Sequence, residues 1–146
     1  MSVTQQAAPE RHSLRGPVCC GLALGAAQAA SPLLFPWLEP ATVQALFLSF
    51  IAAVYIGFAV ADGRPTVLAV EAGVAAVFVL IAALAVTATA WLLVLGYAGH
   101  GLKDWWQHRR QYVAHTRWWP PFCAAVDWLV ALALVAQILA GSNLHS

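Results

Sequence analysis

The chain has 146 residues, a length typical of one domain, and 62% of them are hydrophobic while only 9% are charged. Its mean hydropathy of +0.75 excludes an ordinary soluble domain. The net charge of +1 and three cysteines, at positions 19, 20 and 123, indicate neither a nucleic-acid-binding protein nor a disulfide framework.

The first third of the chain predicts a polar tail followed by two transmembrane helices. Residues 1–16 are polar and predict a disordered, cytoplasmic tail. Residues 18–38 predict the first span, although Pro32 and Pro36 interrupt it; the same stretch imitates a signal peptide. We favour a retained helix, because apolar character continues past the candidate cleavage site. Residues 42–61 predict the second span, and the polar turn 62–65 follows it.

The next apolar run, residues 66–99, is too long for one span. It contains one charged residue, Glu71, and no proline. As a single helix it would be about 51 Å long, against a hydrocarbon core of about 30 Å. A tight hairpin turning near residues 87–89 would divide it into two spans, 66–85 and 89–108, and residues 121–140 would then form the fifth. The remaining residues, 142–146, would be a short tail.

The placement of basic residues favours this hairpin. With five spans, every Lys and Arg of the chain falls on one side of the membrane, whereas with four spans they divide three against four. The positive-inside rule therefore predicts an all-α integral membrane protein of five helices. It also predicts a bacterial inner-membrane location, with the N-terminus cytoplasmic and the C-terminus outside. The domain would run from residue 17 to residue 141.

The hairpin brings ionisable residues from three helices to one level of the membrane. His100, Asp104 and His108 are spaced i, i+4 and i+8, so they share one face of the fourth helix. Two imidazoles and a carboxylate in this pattern predict ligands of a divalent metal such as zinc, iron or manganese. Glu71 and Asp127 are predicted as further ligands or as the general base. His115 and Cys123 are alternative ligands.

A structural interpretation of the same residues stays open. His108 and His115 could belong to an ordinary solvated helix end and loop, and a Glu71–His100 pair could simply hold two helices together. Ionisable residues at membrane depth are nevertheless expensive and usually face a partner or a cavity, which favours a functional site. Tyr55 could also face this site, although simple packing is the stronger explanation for it.

The segments AGHGLKDWWQHRR and PPFCAAVD resemble a family of small bacterial multi-pass membrane proteins of unknown function. That family carries a His-x3-Asp-x3-His signature and a later Cys-Ala-x-x-Asp. The resemblance covers roughly residues 45–140, and it matches Glu71, His100, Asp104, His108, Cys123 and Asp127. Arg109 stands where the family often has a second histidine. The resemblance implies a shared polar site and no particular reaction. A remoter likeness to membrane-bound hydroxylases and desaturases is one of chemistry alone.

These patterns lead to competing functional hypotheses. The first is a metal-dependent membrane enzyme, a hydrolase or an oxidoreductase, that acts on a lipid or another apolar small molecule at the cytoplasmic interface. The second is an ion- or proton-coupled transporter, in which the same residues form a path. The third is a non-catalytic subunit of a membrane complex. In every case the lipid bilayer is a predicted partner of the protein. A homodimer is an open alternative, because five short helices make a small bundle.

Overall fold

A computed structural model describes residues 13–142 and residue 144 of the chain. Within this part, the chain forms five α-helices and a short 3-10 turn at Ser31–Leu34. The helices are α1 Arg15–Ala29, α2 Pro40–Asp62, α3 Pro65–Thr87, α4 Trp91–Arg110 and α5 Trp119–Leu139. The predicted all-α fold and the hairpin of the third and fourth helices are both confirmed. Most of the predicted N-terminal tail and residues 143, 145 and 146 of the C-terminal tail lie outside the described residues.

Three of the described helices have the length and composition needed to cross a membrane. These are α2 and α3, with 23 residues each, and α5, with 21 residues. In contrast, α1 has only 15 residues. Although α4 has 20 residues, its second half carries Lys103, Asp104, Arg109 and Arg110. The structure therefore agrees with a membrane protein, and the crossing of α1 and α4 stays a prediction.

The first predicted span, residues 18–38, is not one continuous helix. The helix α1 already begins at Arg15, ends at Ala29 and is followed by the 3-10 turn. Pro32 explains the early end, because proline has no backbone N–H and disfavours helical geometry in the preceding residue. Before this break, α1 packs closely along α5. A side chain at Gly21 would collide with the backbone carbonyl of Phe122, so the small residue permits the contact.

The two sharp turns between α2, α3 and α4 follow from local sequence. Gly63 ends α2 with a φ of 80°, a left-handed conformation that glycine adopts at low cost. Pro65 then opens α3, where its missing N–H is not needed. Residues 88–90 form the hairpin turn, and the Thr89 hydroxyl accepts a hydrogen bond from the backbone N–H of Trp91 at 3.4 Å. The turn lies where charge placement predicts it.

A set of hydrogen bonds joins the α2–α3 turn to the loop between α4 and α5. The Asp62 carboxylate accepts bonds from the Arg64 guanidinium at 2.6 and 2.8 Å and from the backbone N–H of Ala114 at 2.7 Å. Arg64 also donates to the backbone carbonyl of Tyr112 at 2.6 Å. The hydrogen bond to the Asp62 carboxylate raises the pKa of Arg64 above its usual value. The two connections therefore lie at one end of the bundle.

The start of α1 lies at the same end. Leu14 and Pro17 line a cavity together with His108 and Arg117, which belong to the end of α4 and the following loop. Five of the six described Lys and Arg residues are thus gathered at this end, as the five-span arrangement requires: Arg15, Arg64, Arg109, Arg110 and Arg117. We call it the basic end of the bundle. Lys103 lies about two turns further into the bundle on α4.

Candidate metal centre

The buried face of α4 is polar for most of its length. Leu93, Tyr97, His100, Asp104 and Gln107 alternate at spacings of four and three residues, and each is at most 1% exposed. This spacing is that of the core-facing positions of a packed helix, which are normally apolar. Four of these five side chains are polar, and they include the ionisable His100 and Asp104. A strip of buried polar side chains therefore runs along the centre of the bundle, and we call it the polar seam.

Three of the predicted site residues meet at the middle of this seam. The imidazole Nδ1 of His100 lies 2.8 Å from Oδ2 of Asp127 and 3.4 Å from Oδ2 of Asp104. His100 and Asp104 are one turn apart on α4, and Asp127 arrives from α5, two turns after that helix begins. All three residues are 0% exposed. One potential ligand atom from each lies within 4.8 Å of the other two, so the group could hold a metal ion.

Aromatic side chains from α2 and α3 hold the His100 imidazole in place. The Phe78 ring on α3 meets the His100 ring edge-on at a centroid distance of 4.8 Å, and Tyr55 on α2 lies at 5.9 Å. Beside His100, Gly101 leaves room for the Trp128 indole, since any side chain there would collide with it. Helices α2 to α5 therefore all help to position the histidine. Tyr55, which packing alone could have explained, belongs to the site.

Several polar atoms around the histidine have no hydrogen-bond partner among residues 13–142 and 144. They are Nε2 of His100, both carboxylate oxygens of Asp104, Oδ1 of Asp127 and the Tyr55 hydroxyl. A buried polar group without a partner costs roughly 1–3 kcal/mol, and a charged one costs more. Such a concentration of unsatisfied atoms in one place is unusual and indicates a position for an ion, a proton or a ligand.

The neighbouring Lys103 does not balance the charge of this cluster. Its ammonium group bonds to Oε2 of Glu71 at 2.7 Å and lies 3.4 Å from the centre of the Tyr55 ring. Glu71 is 2% exposed and also accepts a hydrogen bond from the Gln107 side chain. Glu71 and Lys103 thus neutralise each other. If ionised, Asp104 and Asp127 together carry two negative charges, and His100 supplies at most one positive charge.

The distances within the cluster suit a metal ion as well as a hydrogen bond. Two ligand atoms that are each about 2.1 Å from one ion lie roughly 3.0–3.4 Å apart in octahedral or tetrahedral geometry. The two separations from Nδ1, 2.8 and 3.4 Å, are close to this range, and all three ligand atoms lie within 4.8 Å of one another, so a bound ion would draw the two carboxylates together. One imidazole and two carboxylates would also neutralise a divalent cation. Histidine and aspartate are ligands that zinc, iron and manganese accept.

The structure places the other predicted site residues outside this group. Glu71 is held by Lys103 and Gln107. His108 lies one turn beyond Asp104, where its ring packs against Trp105 at 5.9 Å and its Nδ1 is buried without a partner in the described chain. His115 lies in the loop after α4, with a φ of 59°. These residues therefore surround the group rather than complete it.

Cys123 lies at the edge of the cluster. It is 7% exposed and lies one turn before Asp127 on α5. The same residue also lines an apolar cavity. Cys123 therefore separates the polar seam from apolar space.

A second buried polar cluster extends the seam away from the basic end. The Tyr97 hydroxyl donates to the backbone carbonyl of Gln44 at 2.8 Å and accepts from the Gln28 side chain at 2.7 Å. The Gln44 side chain in turn donates to the backbone carbonyl of Gln28 at 3.1 Å. Sequence reasoning missed this cluster, and it missed Gln107. The regular spacing of polar residues along α4 was the signal that could have found Tyr97 and Gln107.

Comparison with known proteins adds no identification. No protein-family model, no curated protein and no solved structure matches the chain. The likeness to the family with the His-x3-Asp-x3-His signature therefore stays a prediction, and function has to be argued from the site.

Proposed function

We propose that His100, Asp104 and Asp127 bind one divalent transition-metal ion and that the protein is a metal-dependent membrane enzyme. The observation that carries the proposal is the charge balance of a fully buried cluster, in which two carboxylates face one imidazole. An uncompensated charge is costly at membrane depth. Zinc, iron or manganese would remove the excess charge and occupy the unsatisfied oxygen atoms.

Catalysis, rather than a purely structural role, is supported by the number of ligands. Structural metal sites are usually closed by four protein side chains, whereas catalytic sites keep a position open for water or substrate. Three side chains converge here. The Tyr55 ring lies 5.9 Å from the His100 ring, and its hydroxyl, which has no hydrogen-bond partner within the described chain, is free to hydrogen-bond a bound substrate. Asp127 acts in this proposal as a ligand, and Glu71 positions Lys103.

The surroundings of the site favour a lipid or another apolar small molecule as substrate. Helices α2, α3 and α5 are apolar enough to span a membrane, and they contribute Tyr55, Phe78 and Asp127 to the site. The cluster lies about two to three turns from the basic end, which the positive-inside rule assigns to the cytoplasm. The protein would then act at the cytoplasmic side of a bacterial inner membrane, as a hydrolase or an oxidoreductase.

The metal content of the purified protein tests this function. We expect about one zinc, iron or manganese ion per chain by elemental mass spectrometry after purification without chelators. The His100→Ala variant should lose most of it, because a ligand is removed. The His115→Ala variant is the matched control, since this loop histidine does not belong to the cluster. A wild-type protein without stoichiometric metal would refute the proposal.

A proton- or ion-coupled carrier is the second candidate, and the Gln28–Tyr97–Gln44 cluster favours it. These side chains continue the polar seam beyond His100 into the half of the bundle away from the basic end. For this function, proteoliposomes should show a proton or cation flux that falls strongly in both Asp127→Asn and Tyr97→Phe. Wild-type vesicles that are no more permeable than empty ones would rule the carrier out.

A further inference from the structure

An apolar cavity lies between α1, α2 and α5, and it reaches the edge of the candidate metal centre. Its volume is about 430 Å³, within the range of about 300–1,000 Å³ that is typical of ligand sites. The wall is apolar except at Gln28, Ser31 and Cys123. Cys123 also lies one turn before Asp127 on the same face of α5. The cavity therefore comes within one helical turn of a ligand of the candidate metal centre.

The early end of α1 explains why this space exists. α1 packs along α5, while the 3-10 turn after it makes the main contact with α2. The helices α1 and α2 consequently diverge, and side chains on α2 such as Phe47 face the gap. Ser31, in the 3-10 turn, is 4% exposed, and its hydroxyl has no partner in the described part of the chain. One hydrogen-bonding group on the wall is thus free for a ligand.

The cavity opens sideways, toward the surroundings of the bundle. A second apolar cavity of about 470 Å³ adjoins it and shares Phe35, Phe47 and Phe50. At the rim, Phe50 and Leu46 are 68% and 61% exposed. Both belong to α2, which is apolar enough to span a membrane. Large apolar side chains exposed on such a helix face lipid, so lipid is what this opening meets.

We propose that this cavity binds one hydrocarbon chain of a membrane lipid and leads it to Cys123 and Tyr55 at the metal centre. The proposal rests on the proposed enzymatic function, and it specifies the substrate class as a lipid with a long hydrocarbon chain. An apolar wall excludes water and polar head groups, so a hydrocarbon chain is the occupant that it accepts. The connection through Cys123 distinguishes this cavity from ordinary lipid-facing grooves.

Photolabelling with a diazirine derivative of palmitic acid tests the proposal. In wild-type protein in detergent micelles, we expect peptide mass spectrometry to find label on the residues around Phe47 and on the segment containing Cys123. Ala27→Trp should reduce this labelling several-fold, because Ala27 lines the cavity and tryptophan would fill it. Ala26→Trp is the matched control, because Ala26 is exposed and this substitution places the same side chain outside the cavity.

Protection of a thiol introduced at the cavity wall provides a readout that does not depend on a bulky substitution. In an Ala27→Cys variant of a Cys19→Ser/Cys20→Ser background, which removes the two exposed thiols, added palmitate should slow the reaction of the introduced thiol with N-ethylmaleimide, because Ala27 is exposed and lines the cavity. Unchanged reactivity, or labelling equally strong at lipid-facing Leu80 and Leu132, would overturn the cavity proposal. Metal content is measured on the same samples. A protein that binds palmitate but carries no metal would refute the enzyme and leave the lipid site intact.

Discussion

Replacing Glu71 with leucine is expected to destabilise the protein by about 3–5 kcal/mol, the range measured when one partner of a buried ion pair is removed. The substitution leaves the Lys103 ammonium and the Gln107 side chain without the acceptor that both now use. The double variant Glu71→Leu/Lys103→Met should recover most of this loss, because apolar side chains of similar volume often replace buried pairs at little cost. Thermal or denaturant unfolding in detergent micelles measures both effects.

An exposed basic residue at the end of α4 supplies the control for this experiment. Arg110 is exposed and makes no side-chain hydrogen bond or ion pair within the described residues, so Arg110→Met should change the stability by at most about 0.5 kcal/mol. The metal content of Glu71→Leu should equal that of wild type, since Glu71 lies outside the cluster. Loss of metal in this variant would show that Glu71 acts on the metal centre directly. A double variant as unstable as the single one would contradict the ion-pair explanation of the loss.

Removal of the metal is expected to destabilise the wild-type protein and to leave an Asp104→Asn/Asp127→Asn variant unaffected. Without the ion, two buried carboxylates face one imidazole. A ligand present at about 1,000 times its Kd contributes about 4 kcal/mol. At about 2–4 °C per kcal/mol for a chain of this size, chelation should lower the Tm by on the order of 10 °C.

The asparagine variant separates charge repulsion from loss of packing. Asparagine keeps the shape of aspartate and removes both negative charges, so the variant needs no cation and should bind none. The chelator should therefore leave the Tm of this variant unchanged, and that Tm should be higher than the Tm of the metal-free wild type. Restoration of the wild-type Tm by zinc, iron or manganese would identify the preferred ion. A chelator that changes neither protein would contradict the proposed metal centre.

The fold was predictable from the sequence because charge and hydrophobicity determine it almost alone. The hairpin of α3 and α4 follows from where the basic residues fall, although Thr and Ala are poor turn residues. The end of α1 was predicted wrongly, since apolar character continues to residue 38 while Pro32 stops the helix at Ala29. A hydropathy pattern indicates which residues face lipid, but it does not show at which residue the backbone hydrogen bonds of a helix end.

The site was predictable only in part, because spacing along one helix does not identify partners on another. Asp104 and His108 share one face of α4 with His100 by their spacing in sequence, but in the structure His108, two turns away, does not join the cluster and Asp127 does. The pairing of Glu71 with Lys103 required knowledge of how α3 and α4 pack. Their opposite charges were visible in the sequence, yet 32 residues separate them along the chain.

The hydrogen bonds of Asp62 and Arg64 join two connections that are distant in sequence. They tie the α2–α3 turn to the loop that joins α4 to α5, at the basic end of the bundle. On the other side of His100, the Gln28 side chain of α1 bonds to Tyr97 of α4, and its backbone carbonyl accepts a bond from Gln44 of α2. The helices around the metal ligands are therefore fastened at two levels, so a lipid chain that exchanges through the side opening of the cavity would leave the geometry of the ligands intact.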